Sequence, residues 1–358
     1  MVLTMAVQNN NNFSEVKKRR LRYRGTHPRR FEEKYKELQG EQYASDIQKV
    51  LQRGQTPAGT HRPICLQEIL HILDLKPGSV GVDATLGYGG HTQEILKKIL
   101  PAGKLFGIDV DPIELPKTEQ RLRNAGFLEN NLIIRRMNFA GLPQLMNEAG
   151  QKFNFFLADL GVSSMQIDTP ARGFSFKTDG PLDLRLNPQK GLPASEHLKK
   201  LSSEELAELF SLNADEPFNE IIADEIVHSN SEIATTKQLA SLIDVSLRRK
   251  NKSISKEDIK KSQQRVFQAL RIFVNDEFTV LDQLLSLLPG CMNPGARIAF
   301  LTFHSGEDRR VKKSFQNRLR TGVFKEIARD PVRPSAQERR SNPRSSCAKL
   351  RWAIMSDQ

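Results

Sequence analysis

No stretch of this 358-residue chain approaches the ~18 consecutive apolar residues that span a bilayer, so no membrane partner is expected. The N-terminus runs early into a polar, Asn-rich stretch over residues 8–12 and has no apolar core of the length a secretory leader carries. Cysteine is scarce as well. Cys65, Cys291 and Cys347 are far apart and form no C-x-x-C pair, which argues against a disulfide framework and a zinc site. A reducing, cytoplasmic compartment is the simpler expectation. His61, His71, His197 and His228 show no metal-ligand spacing, and no metal is expected. There is no G-x-S-x-G elbow, and the neighbours His304, Ser305 and Asp308 cannot meet as a hydrolase triad by adjacency.

What the chain has in surplus is positive charge, unevenly placed. The net charge is +12. Residues 1–62 hold 13 Lys/Arg against 6 Asp/Glu and residues 309–351 hold 14 against 3, whereas residues 63–308 hold 27 against 32. Two basic ends around an acidic middle favour a polyanion, most simply nucleic acid. Residues 1–55 read as a basic, partly disordered extension. Tyr23, Phe31 and Tyr35 interleave with its cations, a mixture suited to base stacking plus phosphate contact.

Strands are expected over 79–86, 104–109, 132–135 and 153–159, alternating with helices over 66–73, 92–100, 113–125 and 142–149. That alternation predicts an α/β fold with a parallel, doubly wound sheet and ligands at the carboxyl ends of the strands. Residues 195–210, 219–228 and 236–247 read as helices with no strand between them. They define an all-α insertion over 181–264, inside a core of 56–180 and 265–358. One helix over 265–288 and a late strand over 296–303 complete the pattern.

The first strand runs into Gly87-Tyr-Gly-Gly-His91, a turn that lets a ligand approach the backbone closely. A dinucleotide fingerprint would have glycine where Thr92 stands. It would also not welcome Asp83, whose negative charge suits a cationic sulfonium better than a diphosphate. Asp109 follows Gly87 at the spacing from which an acid reaches ribose hydroxyls. Asp159, ending the fourth strand, is a candidate for the reacting centre. Gln268, Arg271 and Asn275 form a polar helical stripe that either faces a cleft or is solvated, and the 303–309 segment reads as a substrate-positioning loop.

Several ordered blocks resemble one family: Asp83-Ala-Thr-Leu-Gly-Tyr-Gly-Gly-His91, Ile108-Asp-Val-Asp-Pro112, Asp159-Leu-Gly-Val-Ser-Ser164 with Gln166, Gly180-Pro-Leu-Asp-Leu-Arg185, Arg265-Val-Phe-Gln-Ala-Leu-Arg-Ile272 and Phe303-His-Ser-Gly-Glu-Asp-Arg309. The chain is similar, from about His61 to Arg351, to the RsmH/MraW methyltransferases. The resemblance implies a class I (Rossmann-like) methyltransferase fold whose all-α inserted domain contacts RNA. It implies S-adenosylmethionine as cofactor, held by Gly89, Gly90, His91, Asp109, Phe139, Asp159 and Gln166. The implied reaction is N4-methylation of cytidine 1402 in 16S ribosomal RNA of the small ribosomal subunit, and a homodimer is compatible with it. Asp159 and His304 are the expected base-positioning groups. Another RNA or a DNA cytosine as substrate, or a non-catalytic RNA-binding assembly factor, are the alternatives. The resembled sequences often carry Arg or Gly at Tyr88, Leu at Gly306 and Arg at Ser346, and the basic extension is outside their usual pattern.

Overall fold

The computed structural model describes residues 63–357; the basic extension over 1–55 and His61 lie outside the described residues. Val80–Asp83 (β1), Lys104–Asp109 (β2), Leu132–Arg136 (β3) and Phe153–Asp159 (β4) are parallel strands. Met292–Thr302 (β5) continues the parallel set, and Phe324–Ile327 (β6) and Lys349–Met355 (β7) complete a sheet of order β3-β2-β1-β4-β5-β7-β6. The strand order reverses between β1 and its parallel neighbour β4, the switch point at which doubly wound sheets bind their ligands.

The period-2 alternation of β4 dresses both faces of the sheet. Phe155 and Leu157 pack with Ile95, Leu96 and Leu122 on one side, and Phe156 and Ala158 pack with Leu145, Leu284 and Phe315 on the other. The helices flanking the sheet include Leu66–Leu73 (α1), which adds Ile69 and Leu73, Gly90–Ile99 (α2), Glu114–Asn124 (α3) and Leu142–Ala149 (α4). A one-turn helix, Ser164–Asp168 (α5), follows β4.

The expected Rossmann-like α/β architecture is present, with local corrections. β7 runs antiparallel to both neighbours, and neither β6 nor β7 was expected. β6 has only four residues, and the apolar run of β7 is interrupted by Arg351, which points inward, where its guanidinium donates to Asp308 Oδ1 at 2.6 Å. The helix expected over 195–210 is two, Ala194–Leu198 (α6) and Ser203–Ala214 (α7). Ser202 starts the second with a capping box: its Oγ accepts from Glu205 N–H and Glu205 Oε2 accepts from Ser202 N–H.

Asn219–Val227 (α8), Thr236–Lys250 (α9) and Lys256–Asn275 (α10) follow, and Leu206, Phe210, Ile222, Ile243 and Leu270 bury together among them in a separate apolar cluster. The helix expected over 265–288 is broken at Asp276, whose φ of 51° is left-handed, and resumes as Glu277–Leu287 (α11). The expected 303–309 loop is instead the start of a long helix, Ser305–Arg320 (α12), capped by His304. Ala336–Ser341 (α13) precedes the final strand. Among the described residues no helix is long and apolar enough to cross a membrane.

Candidate active site

The backbone past β1 turns left-handed at Gly87 (φ 47°) and Gly89 (φ 81°), a conformation that a Cβ would strain. Asp109, at the end of β2, fastens this turn. Its Oδ2 accepts from Gly87 N–H at 2.9 Å and its Oδ1 from Asp111 N–H at 2.9 Å. Thr118 Oγ1 donates to Gly87 O, and Arg121 lies 3.8 Å over the Tyr88 ring. Gly87, Tyr88, Gly90 and His91 line a cavity of about 920 Å³. Gly89 does not; it faces α3, where a Cβ would come within 3.0 Å of Leu122 and 3.1 Å of Thr118.

Asp83 has a different place from the one its charge suggested. It is buried, accepts from Thr92 Oγ1 at 2.6 Å and from Thr85 N–H at 3.2 Å, and is not among the cavity-lining residues. Burial pushes its carboxyl upward. Thr92, at the third-glycine position, therefore ties the first turn of α2 to β1 rather than leaving room for a pyrophosphate.

Across the switch point, Asp159 N–H donates to Thr85 Oγ1 at 2.6 Å, and its carboxylate borders the cavity. His91 Nδ1 lies 3.6 Å from Asp159 Oδ2, and His91 Nε2 lies 3.1 Å from the Ile64 carbonyl. Burial raises the Asp159 carboxyl to about 6; His91 opposes that rise, while Asp83 and Glu307 add to it.

Gln166, Phe139, Arg271 and Asn275 line the remaining walls. Gln166 is engaged at both ends: Oε1 accepts from Ser163 N–H and Nε2 donates to Asp111 Oδ2 at 2.7 Å. Arg271 forks onto Glu277 at 2.8 and 2.9 Å. Gln268, the third member of its stripe, is outside the cavity and reaches Asn213 O instead.

His304 does not line the cavity. Its Nδ1 accepts from Glu307 N–H at 3.5 Å, and its Nε2 sits 3.0 Å from Glu307 Oε1 without the alignment of a hydrogen bond. The group that does reach the cavity from this segment is Glu307. Among the described residues, two clusters bring three potential metal ligands together: Glu277, His304 and Glu307 in one, Cys65, Glu68 and Glu338 in the other. Arg271 already occupies the Glu277 carboxylate.

Sequence reasoning missed Thr85, Asp111 and Glu307. Only Glu307 left a signal, since an acid three residues past a helix start is a capping position.

A sequence model of the MraW methylase family matches residues 58–356. The chain is 55% identical over 346 residues to "Ribosomal RNA small subunit methyltransferase H 1" of Lachnoclostridium phytofermentans, covering 96% of this chain and 94% of that protein. It is 53% identical to "Ribosomal RNA small subunit methyltransferase H 2" of Alkaliphilus metalliredigens, covering 96% and 99% respectively. "Ribosomal RNA small subunit methyltransferase H" of a Cyanothece species is 38% identical, covering 83% of this chain and 95% of that protein. Alignment of 96% of the chain takes in most of residues 1–55, so the basic extension is shared with some relatives and lies outside the family model.

Proposed function

The chain belongs to the MraW methylase family, and from that membership we propose that it methylates N4 of one cytidine, position 1402, in 16S ribosomal RNA. It is an S-adenosylmethionine-dependent ribosomal RNA methyltransferase. The target atom and the roles of the site residues are inferred, and the cytoplasm is the inferred place of action.

The observation that supports the reading most is Asp159. It is a half-buried carboxylate at the end of β4, across the switch point from the glycine turn. The residues present fit the cofactor. Gly90 and Gly87 leave backbone open to its methionine end, and Phe139 offers an aromatic face to the adenine. Each Asp109 oxygen accepts one backbone N–H and keeps a lone pair for a ribose hydroxyl. His91 and Asp159, which line the cavity beside the glycine turn, would hold the cofactor's sulfonium end. Gln166 contributes by holding Asp111 and the turn after β4, and Gly89 by letting the glycine turn lie flat on α3.

When bound, S-adenosylmethionine supplies an electrophilic methyl carbon. The chain's task is to bring a weak nucleophile to it, since the cytosine amine has its lone pair conjugated into the ring. Asp159 accepts an N4–H hydrogen bond, which draws the lone pair toward the methyl and fixes the approach. It then takes the proton that N4 loses, and its raised affinity suits it to this. His304 acts at one remove, by holding Glu307 at the cavity wall. The cytosine must leave its stack to reach this depth. The helical segment over 181–264 is the inferred RNA-contacting insertion.

Incubation of the full chain with methyl-labelled S-adenosylmethionine and unmethylated small subunits tests the reading. Label recovered in RNA as N4-methylcytidine is the expected outcome. Cofactor binding with no transfer to RNA would instead favour the assembly-factor alternative.

A further inference from the structure

Two carboxylates border the same end of the cavity. Asp159 closes β4, and Glu307 lies in the first turn of α12, which follows the neighbouring strand β5. The two strands are in register at Asp159 and Leu301, so both segments emerge side by side at the carboxyl edge of the sheet. Glu307 is 3% exposed, yet it lines the cavity. Its carboxylate is positioned from behind: Phe303 N–H donates to Oε2 at 2.9 Å, and His304 Nε2 stands 3.0 Å from Oε1. A carboxylate offers about four lone-pair sites, and these two neighbours leave others for a ligand.

The environments of the two acids differ. Burial alone would raise Glu307, but His304 and Arg271 outweigh it and hold the carboxyl below its ordinary range, whereas Asp159 is raised. Two titratable groups driven apart in this way divide the work of an acid–base site. Asp159 can accept and release a proton near neutrality, and Glu307 stays an anion throughout.

We propose that Glu307 is a second hydrogen-bond acceptor for the attacking amine, so that each of its two N–H groups meets its own carboxylate and only one methyl is added. The inference rests on the reaction proposed above. In the step itself, the N4 lone pair forms the new N–C bond while the C–S bond breaks and its electron pair goes to sulfur. One N4 proton passes to Asp159 and from there to solvent; Glu307 keeps the other N–H. The methylated product has a single N–H. Returning it to the site would set its methyl against a buried anion, which disfavours a second transfer.

Glu307→Gln separates this role from helix capping, because the amide oxygen still accepts from Phe303 N–H. The expected result is an unchanged cofactor affinity, a melting temperature lowered by loss of the charge that His304 and Arg271 favour, a KM for small subunits raised by up to about tenfold and a fall of about 100-fold in kcat. The ratio of second to first methylation should rise at least ~10-fold, read as N4,N4-dimethylcytidine, because no anion is left to reject the product. A kcat within threefold of wild type would overturn the inference.

A second measurement needs no variant. Cytidine, N4-methylcytidine and N4,N4-dimethylcytidine are titrated into the wild-type chain saturated with S-adenosylhomocysteine. Affinity should fall about tenfold with each N–H lost, and equal affinity for all three would contradict two acceptors. Absence of any wild-type methylation would instead count against the underlying reaction, and so is told apart from failure of the Glu307 role.

Discussion

Arg172 Nη1 lies 2.7 Å from Asp111 Oδ2, and both side chains are buried, so the loop after β4 is pinned to the end of β2. The same Asp111 oxygen accepts from Gln166 Nε2, and Arg172 Nη2 donates to the carbonyls of Arg185 and Leu186. One buried carboxylate thus organises a wall of the cavity. Arg172→Ala leaves this buried carboxylate without its cation, and unfolding experiments should show a loss of about 3–5 kcal/mol. Cofactor affinity should drop in the same variant, because Gln166 loses its fixed partner's geometry.

In the role proposed above, Asp159 would make the reaction pH-dependent. Its carboxyl is raised from 3.8 to about 6 by burial, against the opposing charge of His91 and with the support of Asp83 and Glu307. The native state therefore holds this proton more tightly than the unfolded chain. The group's contribution to stability is lost as pH rises from 3.8 to about 6. Activity should move the other way, since only the ionised form can take up the N4 proton. Single-turnover methyl transfer should rise with a midpoint near pH 6. Asp159→Asn should abolish that limb and lower the plateau at least 100-fold.

Asp109 receives two backbone N–H groups, from Gly87 and Asp111. Asp109→Asn turns one of its two acceptors into a donor facing an N–H. Calorimetric titration should show weaker S-adenosylmethionine binding by about tenfold or more, through both the ribose contact and a loosened glycine turn. Unchanged affinity would remove Asp109 from the cofactor site.

Gly306 stands where the resembled sequences often carry Leu, and Phe278 fills the space. A Cβ on Gly306 would lie 2.4 Å from Phe278 Cζ, and the Phe278 ring also lines the cavity under Arg310. Gly306→Leu alone should cost about 1–3 kcal/mol through overpacking. Pairing it with Phe278→Ala should recover most of that, a coupling visible in a double-mutant cycle.

The parallel half of the fold was legible because its strands are buried on both faces and read as apolar runs between helical periods. β6 and β7 were not, since β6 is a half-exposed four-residue strand and the short apolar run of β7 is interrupted by an inward-facing Arg351. At the site, Asp109 and the glycine turn could be found from spacing, because backbone geometry alone sets it. Asp83 was misjudged. Its charge was visible, but whether a carboxylate faces a ligand or Thr92 Oγ1 depends on side-chain direction that spacing does not encode. His304 and Glu307 exchange roles for a similar reason: the helix starts at Ser305, which turns the histidine into a cap and the glutamate toward the cavity.

The measurement that bears most directly on the function is nucleoside mass spectrometry of 16S ribosomal RNA from cells with and without the protein. Loss of a single N4-methylcytidine at position 1402, restored by the wild-type chain and not by Asp159→Asn, is the predicted result. An unchanged N4-methylcytidine content at that position, or loss of a methyl group from any other atom or base, would contradict it.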